Sequence, residues 1–437
     1  MKTLFKWLPV VAISGLLLTG CSGGATDTLS GSGAAATDRT QVSILWAKTE
    51  VLAQFEAMVD AFNAYQDTIF VTSLPGIGGG MGPQDVQFTL MASGDAATIT
   101  HMAPYIVFEF DDTSRDLRDE LFVSLADEGT LDPVTRADGR VVGMPSSVEG
   151  FGFIYNLDVI EAALGRTFDA SVIRTIGDVR AVFEELEAAG QPALIISNLG
   201  WSMGWHFANK FLASQSTSYE DNLRFLEALV AGEVDLYSNP RYQGWLEMFR
   251  LMSEFNVSAH APLDPDYDDG IMALADGDVA FWFQGNWTYP VLNQTSPGVT
   301  YGFMPVPLSN DPQDFGNSHI SVGVPHYFVI DASQNSLEQQ EAAMTFLHWM
   351  IQNPTGQHHM VNELALIPVF DGFDIVPDDA LATSIMAYSA QGNTMAWIMG
   401  QAPPGMGDAV WAYMQQYMLG LIDAQTMTRG IEDFFIG

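Results

Sequence analysis

The chain has 437 residues, of which 48% are hydrophobic and 16% are charged, so it has enough apolar material to fold. This length exceeds a single compact core and predicts two domains or lobes. The formal net charge of −37 excludes an ordinary nucleic-acid-binding surface, because such surfaces need many basic side chains. The same scarcity of lysine and arginine favours neutral or cationic ligands over phosphorylated ones.

Residues 1–20 have the pattern of an export signal: two lysines precede an apolar run, residues 7–18, that is too short to span a bilayer comfortably. Residues 18–21 read Leu-Thr-Gly-Cys and resemble the lipobox of bacterial lipoproteins, which predicts cleavage before Cys21 and lipidation of that residue. A free thiol is the alternative, and a single cysteine excludes a disulfide within the chain. Residues 21–40, rich in Ser, Gly, Ala and Thr, predict a flexible tether. We expect the folded body outside the cytoplasmic membrane.

Strand and helix patterns alternate after the tether. Residues 42–46 have strand character, residues 51–62 carry apolar side chains at helical spacing, and residues 69–72 form a second apolar strand. This order predicts a βαβ unit with parallel strands, and therefore an α/β fold. Further helices are predicted at residues 178–189, followed by Gly and Pro, and at residues 336–352, opened by a Ser with a Gln three positions later.

A G-x-S-x-G pattern at residues 200–204 is the sharpest indication of an enzyme, with Ser202 as the nucleophile of an esterase. Three residues separate this pattern from the preceding apolar run, and no histidine follows His359 to complete a late triad. The alternative is a loop in which Trp201 and Trp205 face a cleft while Ser202 forms a hydrogen bond or a turn.

Metal and phosphate motifs are weak. Four aspartates within residues 264–269 suggest calcium, but the sixth loop position is Asp instead of Gly and the twelfth is Ala instead of Glu. We interpret them as an acidic helix start. The glycine-rich residues 76–82 lack a phosphate-binding register, and the adjacent His358 and His359 cannot readily chelate one ion. No cofactor or metal is therefore predicted.

The chain has ten tryptophans, more than a core needs, and several occur in glycine-rich or loop-like settings. Trp46 ends the first strand, Trp287 follows Gln-Gly-Asn, and Trp411 follows residues 405–410. A flat indole suits the apolar face of a sugar ring, and Asp, Glu, Asn and Gln can pair with its hydroxyl groups. The alternative for each is an ordinary core or surface tryptophan.

Four stretches of the chain resemble the extracellular solute-binding proteins of ABC importers, in the branch that includes maltose- and oligosaccharide-binding proteins. They are residues 147–158, residues 273–287, residues 301–307 with 322–324 and 328–333, and residues 408–411. Together with the lipobox and the first βαβ unit, the resemblance covers nearly all of residues 41–437.

The resemblance implies a two-lobe periplasmic-binding-protein fold, type II-like, in which each lobe has a central, mostly parallel sheet flanked by helices. A hinge of several strands joins the lobes. The implied division places residues 41–149 and 301–331 in lobe 1, and residues 150–300 and 332–437 in lobe 2.

The resemblance also implies a ligand site. Glu149 would accept hydrogen bonds from the ligand, Trp287 and Trp411 would stack on a sugar ring from lobe 2, and Trp46 would frame the lobe 1 side. Trp201 is a further candidate for the lobe 2 wall.

One segment departs from the family pattern. Residues 97–98 read Ala-Thr where the family often has Pro-Asp, so a carboxylate of the usual site is missing. His101 or Tyr105 could occupy that wall, and the ligand could differ from maltose.

The function that the resemblance implies is capture of a neutral sugar or oligosaccharide and its delivery to ABC transporter permease subunits, by a monomer anchored to the membrane through its lipid. Binding, not catalysis, is expected. The alternatives are a lipoprotein esterase using Ser202, a glycoside hydrolase with two carboxylates, or the same fold carrying a peptide, polyamine or other cation.

Overall fold

The computed structural model describes residues 38–74 and 82–437, and these contain eleven β-strands. The predicted export signal and Cys21 lie outside the described residues. The strands are β1 (Thr40–Leu45), β2 (Ile69–Leu74), β3 (Ile99–Met102), β4 (Met144–Pro145), β5 (Glu149–Asn156), β6 (Leu194–Ile195), β7 (Phe281–Gly285), β8 (Tyr301–Met304), β9 (Ile320–Gly323), β10 (Tyr327–Ile330) and β11 (Thr394–Met395).

The same residues contain fifteen α-helices, and none of these is long and apolar enough to cross a membrane. The helices are α1 (Leu52–Tyr65), α2 (Pro83–Ser93), α3 (Pro104–Val107), α4 (Leu157–Leu164), α5 (Ile176–Ala188), α6 (Ala208–Ala213), α7 (Tyr219–Val230), α8 (Pro240–Glu254), α9 (Tyr267–Ala275), α10 (Tyr289–Thr295), α11 (Leu337–Gln352), α12 (Pro354–His358), α13 (Ala380–Ala390), α14 (Met406–Met418) and α15 (Ala424–Ile436).

The first sheet has the strand order β2-β1-β3-β10-β4. β1 is parallel to β2 and β3, whereas β10 is antiparallel to β3 and β4. Helix α1 buries Phe55, Met58, Val59 and Phe62 in the core beside this sheet, as its helical spacing predicts. The predicted βαβ unit is therefore confirmed. We call this sheet and its core lobe 1.

The second sheet has the strand order β11-β9-β5-β7-β6, with β8 also paired to β5. β5 is antiparallel to β7, β8 and β9, and only Tyr155 of its residues is less than fully buried. We call this sheet and the cores on its two faces lobe 2. Both sheets contain parallel and antiparallel pairs. The antiparallel pairs involve β10, which enters lobe 1 from lobe 2, and β5, which enters lobe 2 from lobe 1. Two lobes of mixed α/β structure agree with the predicted fold class, but neither sheet is mostly parallel, contrary to what the resemblance implied. The first sheet has two parallel and two antiparallel pairs, and the second has two parallel and three antiparallel pairs.

The helix signals in the sequence are confirmed at both places. The predicted helix 178–189 corresponds to α5, and the predicted helix 336–352 corresponds to α11. Ser336 caps α11 by accepting a hydrogen bond from the backbone of Gln339, whose side chain accepts one from the backbone of Ser336. This reciprocal pair satisfies backbone donors that the first turn of a helix leaves free.

The chain crosses between the lobes three times: between β4 and β5, between β9 and β10, and between residues 370 and 380. This differs from the predicted division in two segments. Residues 301–323 belong to lobe 2, because β8 and β9 pair with β5. Residues 337–370 belong to lobe 1, because α11 and the segment after it pack into the first core. Each crossing brings polar residues to the space between the lobes.

Candidate functional site

A cavity of about 760 Å³ lies between the two lobes. Its size is typical of pockets for small organic ligands. The wall on the lobe 1 side includes Lys48, Glu50, Tyr105 and His326, together with Glu149, the first residue of β5, where the chain crosses into lobe 2. The lobe 2 wall includes Trp201, Trp205, His206, Tyr267, Trp287 and Trp397. One wall is therefore rich in charged and polar groups, and the other is rich in aromatic rings.

Lys48 is the centre of the charged wall. It follows β1, and its ammonium group pairs with the carboxylate of Glu149 at the start of β5 and, at 3.3 Å, with that of Glu50. Burial lowers the pKa of Lys48, but the two carboxylates outweigh burial, and the net shift is upward. Burial raises the pKa of Glu149, and Lys48 opposes that shift. Lys48 is thus a fixed cation, and it holds Glu149 through one of its two carboxylate oxygens.

The lobe 2 wall is a row of rings in mutual contact. The centroid of Trp201 lies 5.9 Å from those of both Trp287 and Tyr267. His206 continues the row, with its centroid 5.0 Å from Trp287 and 5.7 Å from Trp397. Trp201 is 40% exposed, so part of its ring is open to a ligand.

Glycines make room for the indole rings of this wall. A Cβ atom on Gly285 would lie 2.1 Å from the ring of Trp287, and one on Gly323 would lie 2.5 Å from the ring of Trp397. Such distances are far below van der Waals contact, so each indole can lie against the backbone only because glycine is there. The backbone of β7 and β9 therefore fixes the positions of two rings.

Two histidines add uncharged hydrogen-bonding groups to the cavity. Burial lowers the pKa of His206 and of His326 to about 3, so both rings are neutral at physiological pH. Each Nδ1 atom is buried and has no partner within the described residues, and the same is true of Nε1 of Trp287 and Trp397. The two imidazole rings thus add polar groups to the lining of the cavity without net charge, whereas these four buried atoms lie behind its surface.

Residues 81–384, more than half of the chain, match the bacterial extracellular solute-binding protein family. The chain belongs to this family. Its members are binding proteins that act outside the cytoplasm, which agrees with the location predicted for the body of this chain. No curated protein sequence matches the chain.

Solved structures of other solute-binding proteins share the fold of this one. RafE in complex with raffinose has a TM-score of 0.75 and 18% sequence identity, with 91% of this chain and 99% of RafE covered. A sugar transporter protein of Bacillus licheniformis in complex with stachyose has a TM-score of 0.68 and 15% identity, with 90% and 99% covered. Maltose-bound MalE3 of T. maritima has a TM-score of 0.66 and 14% identity, with 91% and 99% covered. At these identities the likeness concerns the fold.

Four of the predicted ligand-binding residues line the cavity of this solute-binding protein: Tyr105, Glu149, Trp201 and Trp287. Tyr105, which the departure at residues 97–98 suggested, stacks on Trp205 across the gap between the lobes. The two ring centroids are 5.2 Å apart and the rings are inclined by 16°.

Trp46 and His101 lie behind the cavity wall. Trp46 is 1% exposed and stacks between Phe55 and His101, with centroid distances of 4.1 and 4.3 Å. Its Nε1 donates to the carbonyl oxygen of Lys48 at 2.8 Å. His101 is fully buried and contacts His326, which does line the cavity. Both residues therefore position groups of the wall and do not form its surface.

Trp411 also lies behind the wall, in the lobe 2 core. It is 5% exposed, and its Nε1 donates to Oδ1 of Asn198 at 2.9 Å. The cavity-lining ring on this side is Trp205, which fits against helix α14 because Gly407 has no side chain; a Cβ atom there would lie 1.8 Å from the ring. Trp411, which was predicted to stack on the ligand, therefore does not line the cavity.

Ser202 lies in a π-helical segment, Gly200–Phe207, that places Trp201 and Trp205 at the cavity. Its hydroxyl group is buried and donates to the carbonyl oxygen of Phe283 at 3.4 Å. This is the structural role that the loop interpretation predicted, and it leaves the esterase alternative without an exposed nucleophile. Asp266 caps α9 in a reciprocal pair with Asp269, which agrees with the predicted acidic helix start.

Most lining residues were not predicted as ligand-binding, and Lys48, His206, Tyr267, His326 and Trp397 are among them. Lys48 had one usable signal, since it is one of only four lysines in the chain and follows the first strand. The other four residues come from four separate segments of the sequence, and only the packing of the lobes brings them together.

Proposed function

We propose that this solute-binding protein captures a neutral sugar or oligosaccharide between its lobes and delivers it to the permease of an ABC transporter. The observation that carries the proposal is one cavity with a wall of aromatic rings on one side and an anchored carboxylate on the other. Indole rings stack on the apolar faces of sugar rings, and Glu149 and the neutral imidazoles can pair with hydroxyl groups. Lys48, already paired with two carboxylates, is a poor receptor for a ligand phosphate.

The affinity that such a site could provide is sufficient for transport. Micromolar binding needs about −8 kcal/mol. Two or three stacked rings at about 1 kcal/mol each, with hydrogen bonds to a charged group at about 1.5–3 kcal/mol each, can supply this in addition to apolar burial, after the costs of ordering and desolvation. The bound raffinose, stachyose and maltose of the three structural neighbours support the same ligand class.

We further propose that the protein is a lipoprotein, cleaved after residue 20 and anchored to the membrane through lipidated Cys21. Residues 21–40 would then act as the tether between the lipid and the folded lobes. The protein would function as a monomer that binds without catalysis, and the permease subunits would recognise the arrangement of its lobes around the sugar.

A thermal-shift screen with raffinose, stachyose, maltose and chitin oligosaccharides tests the ligand class. A sugar at 100 times its dissociation constant should raise the stability of the protein by about 2.7 kcal/mol. Titration calorimetry of the best sugar should then show at least tenfold weaker binding by Trp287→Ala, because the ring that contacts the sugar is removed. Tyr65→Ala is the matched control, since Tyr65 is a 65% exposed aromatic residue outside the cavity. The proposal fails if no sugar raises the melting temperature. If Trp287→Ala binds the sugar with unchanged affinity, Trp287 is not part of the sugar-binding site.

A further inference from the structure

A second cavity, of about 310 Å³, lies between the lobes on the other side of α10. Helix α10 forms a wall of both cavities: Val291 lines the first, whereas Tyr289 and Asn293 line the second. Lobe 1 contributes residues 361–365, and the third crossing of the chain contributes Asp378 and Asp379. A ligand in this cavity would therefore touch both lobes.

The carboxylate of Asp379, in the second cavity, has one oxygen with hydrogen-bond partners and one without any in the part of the chain that the structure describes. One carboxylate oxygen caps α13 by accepting hydrogen bonds from the backbone of Leu381 at 2.7 Å and of Ala382 at 3.1 Å. The other oxygen is buried and has no hydrogen-bond partner within the described residues, and Asp379 as a whole is only 5% exposed. A buried carboxylate oxygen without a partner is costly, and a cation or hydrogen-bond donor would remove that cost.

The surroundings of Asp379 are acidic. Asp378 and Glu363 line the same cavity, and no lysine or arginine does so in the part of the chain that the structure describes. Glu363 has an exposed partner in His358, at 3.4 Å, but Asp379 has no such counter-charge. The cavity therefore favours a positively charged ligand.

The shape and donor set favour an organic cation over a metal ion. No group of three or more histidine, cysteine, aspartate or glutamate side chains in residues 38–74 and 82–437 is close enough to hold a metal ion. The volume exceeds that of a bare ion, and Tyr289, Pro290 and Val361 provide apolar surface beside the carboxylates. A primary ammonium group has three N–H donors for such oxygens, and a short alkyl chain would contact the apolar part.

We propose that the cavity between α10, residues 361–365 and Asp379 binds a small primary ammonium compound, separately from the ligand of the larger cavity. Its ammonium group donates a hydrogen bond to the free oxygen of Asp379 and interacts with Asp378 and Glu363. Because the occupant contacts both lobes, it stabilises their arrangement.

Calorimetric melting of the full chain tests the proposal, with ethylammonium chloride as the probe and sodium chloride at matched ionic strength as the reference. Burial raises the pKa of Asp379 to about 7, so the measurement is made at pH 8, where this carboxylate is ionised. We expect 100 mM ethylammonium to raise the melting temperature by at least 2 °C. Tetraethylammonium chloride, which has the charge but no N–H donor, should raise it by less than a quarter as much.

The decisive variant is Asp379→Asn, because the amide oxygen can still cap α13 while the negative charge is lost. It should abolish the shift caused by ethylammonium. Asp423→Asn is the matched control: Asp423 caps α15 in the same manner but is exposed, and its variant should respond like the wild type. Asp378→Asn, at an exposed position, should reduce the shift by at least half and serves as the test if Asp379→Asn does not fold.

Several results would overturn the proposal. They are the absence of a shift in the wild type, equal shifts in Asp379→Asn and the wild type, or equal effects of ethylammonium and tetraethylammonium. Magnesium or calcium chloride is run in parallel. A shift that occurs with a divalent ion and not with ethylammonium, and that is lost in Asp379→Asn, would show that the cavity binds a metal ion instead.

Discussion

Each lobe contains one buried lysine, and the two lysines lie in opposite electrostatic settings. Lys48 in lobe 1 is 6% exposed and pairs with two carboxylates at the wall of the large cavity. Lys210 in lobe 2 is 1% exposed and donates to the carbonyl oxygen of His319 at 3.1 Å. Within the described residues no carboxylate lies within 4 Å of Lys210, and burial lowers its pKa to about 7.

The two lobes contribute different kinds of groups to the wall of the large cavity. Lobe 1 places Lys48 at the ligand surface, where it fixes the position of Glu149 at the crossing into lobe 2. Lobe 2 presents neutral rings there and keeps its single lysine in the interior, away from the lining residues. A ligand thus meets a fixed carboxylate on one side and stacking surfaces on the other.

Removing the main partner of Lys48 should have the largest effect on stability. Glu149→Ala leaves a buried ammonium group with only Glu50, and we expect a loss of about 3 kcal/mol in the free energy of unfolding. Denaturant titration of the ligand-free protein measures this loss. Glu50→Ala is the control, since the side chain of Glu50 is 24% exposed and its pair is more easily replaced by water. If Glu149→Ala and Glu50→Ala lost the same free energy of unfolding, Glu149 would not be the main partner of Lys48.

Replacing the lysine of lobe 2 should have an effect that depends on pH. The pKa of Lys210 in the folded state, about 7, is below its ordinary value of 10.5, so the unfolded chain binds more protons between these values. The contribution of Lys210 to the free energy of unfolding therefore rises with pH over that range and is lowest at or below pH 7. Lys210→Met removes this dependence, so the variant should be more stable than the wild type at pH 7.

The advantage of Lys210→Met should shrink by about 2 kcal/mol between pH 7 and pH 9, as followed by denaturant titration at several pH values. Arg224→Met is the control, because Arg224 is an exposed cation on α7 and should give a difference that does not change with pH. A difference that stays constant for Lys210→Met would mean that Lys210 remains charged in the folded protein.

The sequence predicted those parts of the fold that depend on local patterns. Apolar spacing identified α1, and the Ser-x-x-Gln pair identified the start of α11. Both signals depend only on residues that are close together in the sequence. The assignment of β8 to a lobe could not be read in this way. β8 pairs with β5, more than 140 residues earlier, and nothing local in either strand specifies that pairing.

The candidate site shows the same limit. The family resemblance placed Glu149 and Trp287 at the cavity, but the resemblance did not distinguish cavity-lining from buried tryptophans. A local signal did exist for Trp411, since Met406, Val410, Trp411 and Met414 form the buried stripe of α14. No comparable signal marks Trp397, whose position depends on the absence of a side chain at Gly323 on a distant strand.

Trp411→Phe should have the smallest effect and tests whether lobe 2 recognises ligand only through the rings that line the cavity. The variant loses the hydrogen bond to Asn198, but Asn198 still accepts one from Gln415 at 2.7 Å, so we expect a loss of at most about 1 kcal/mol in stability. The affinity for the sugar found in the thermal-shift screen should stay within a factor of two of the wild-type value in titration calorimetry. Trp287→Phe is the matched variant at the cavity, where a smaller ring should weaken binding at least threefold. If Trp411→Phe weakened binding as much as Trp287→Phe, Trp411 would belong to the recognition surface, because neither its stability loss nor its buried hydrogen bond could account for that result.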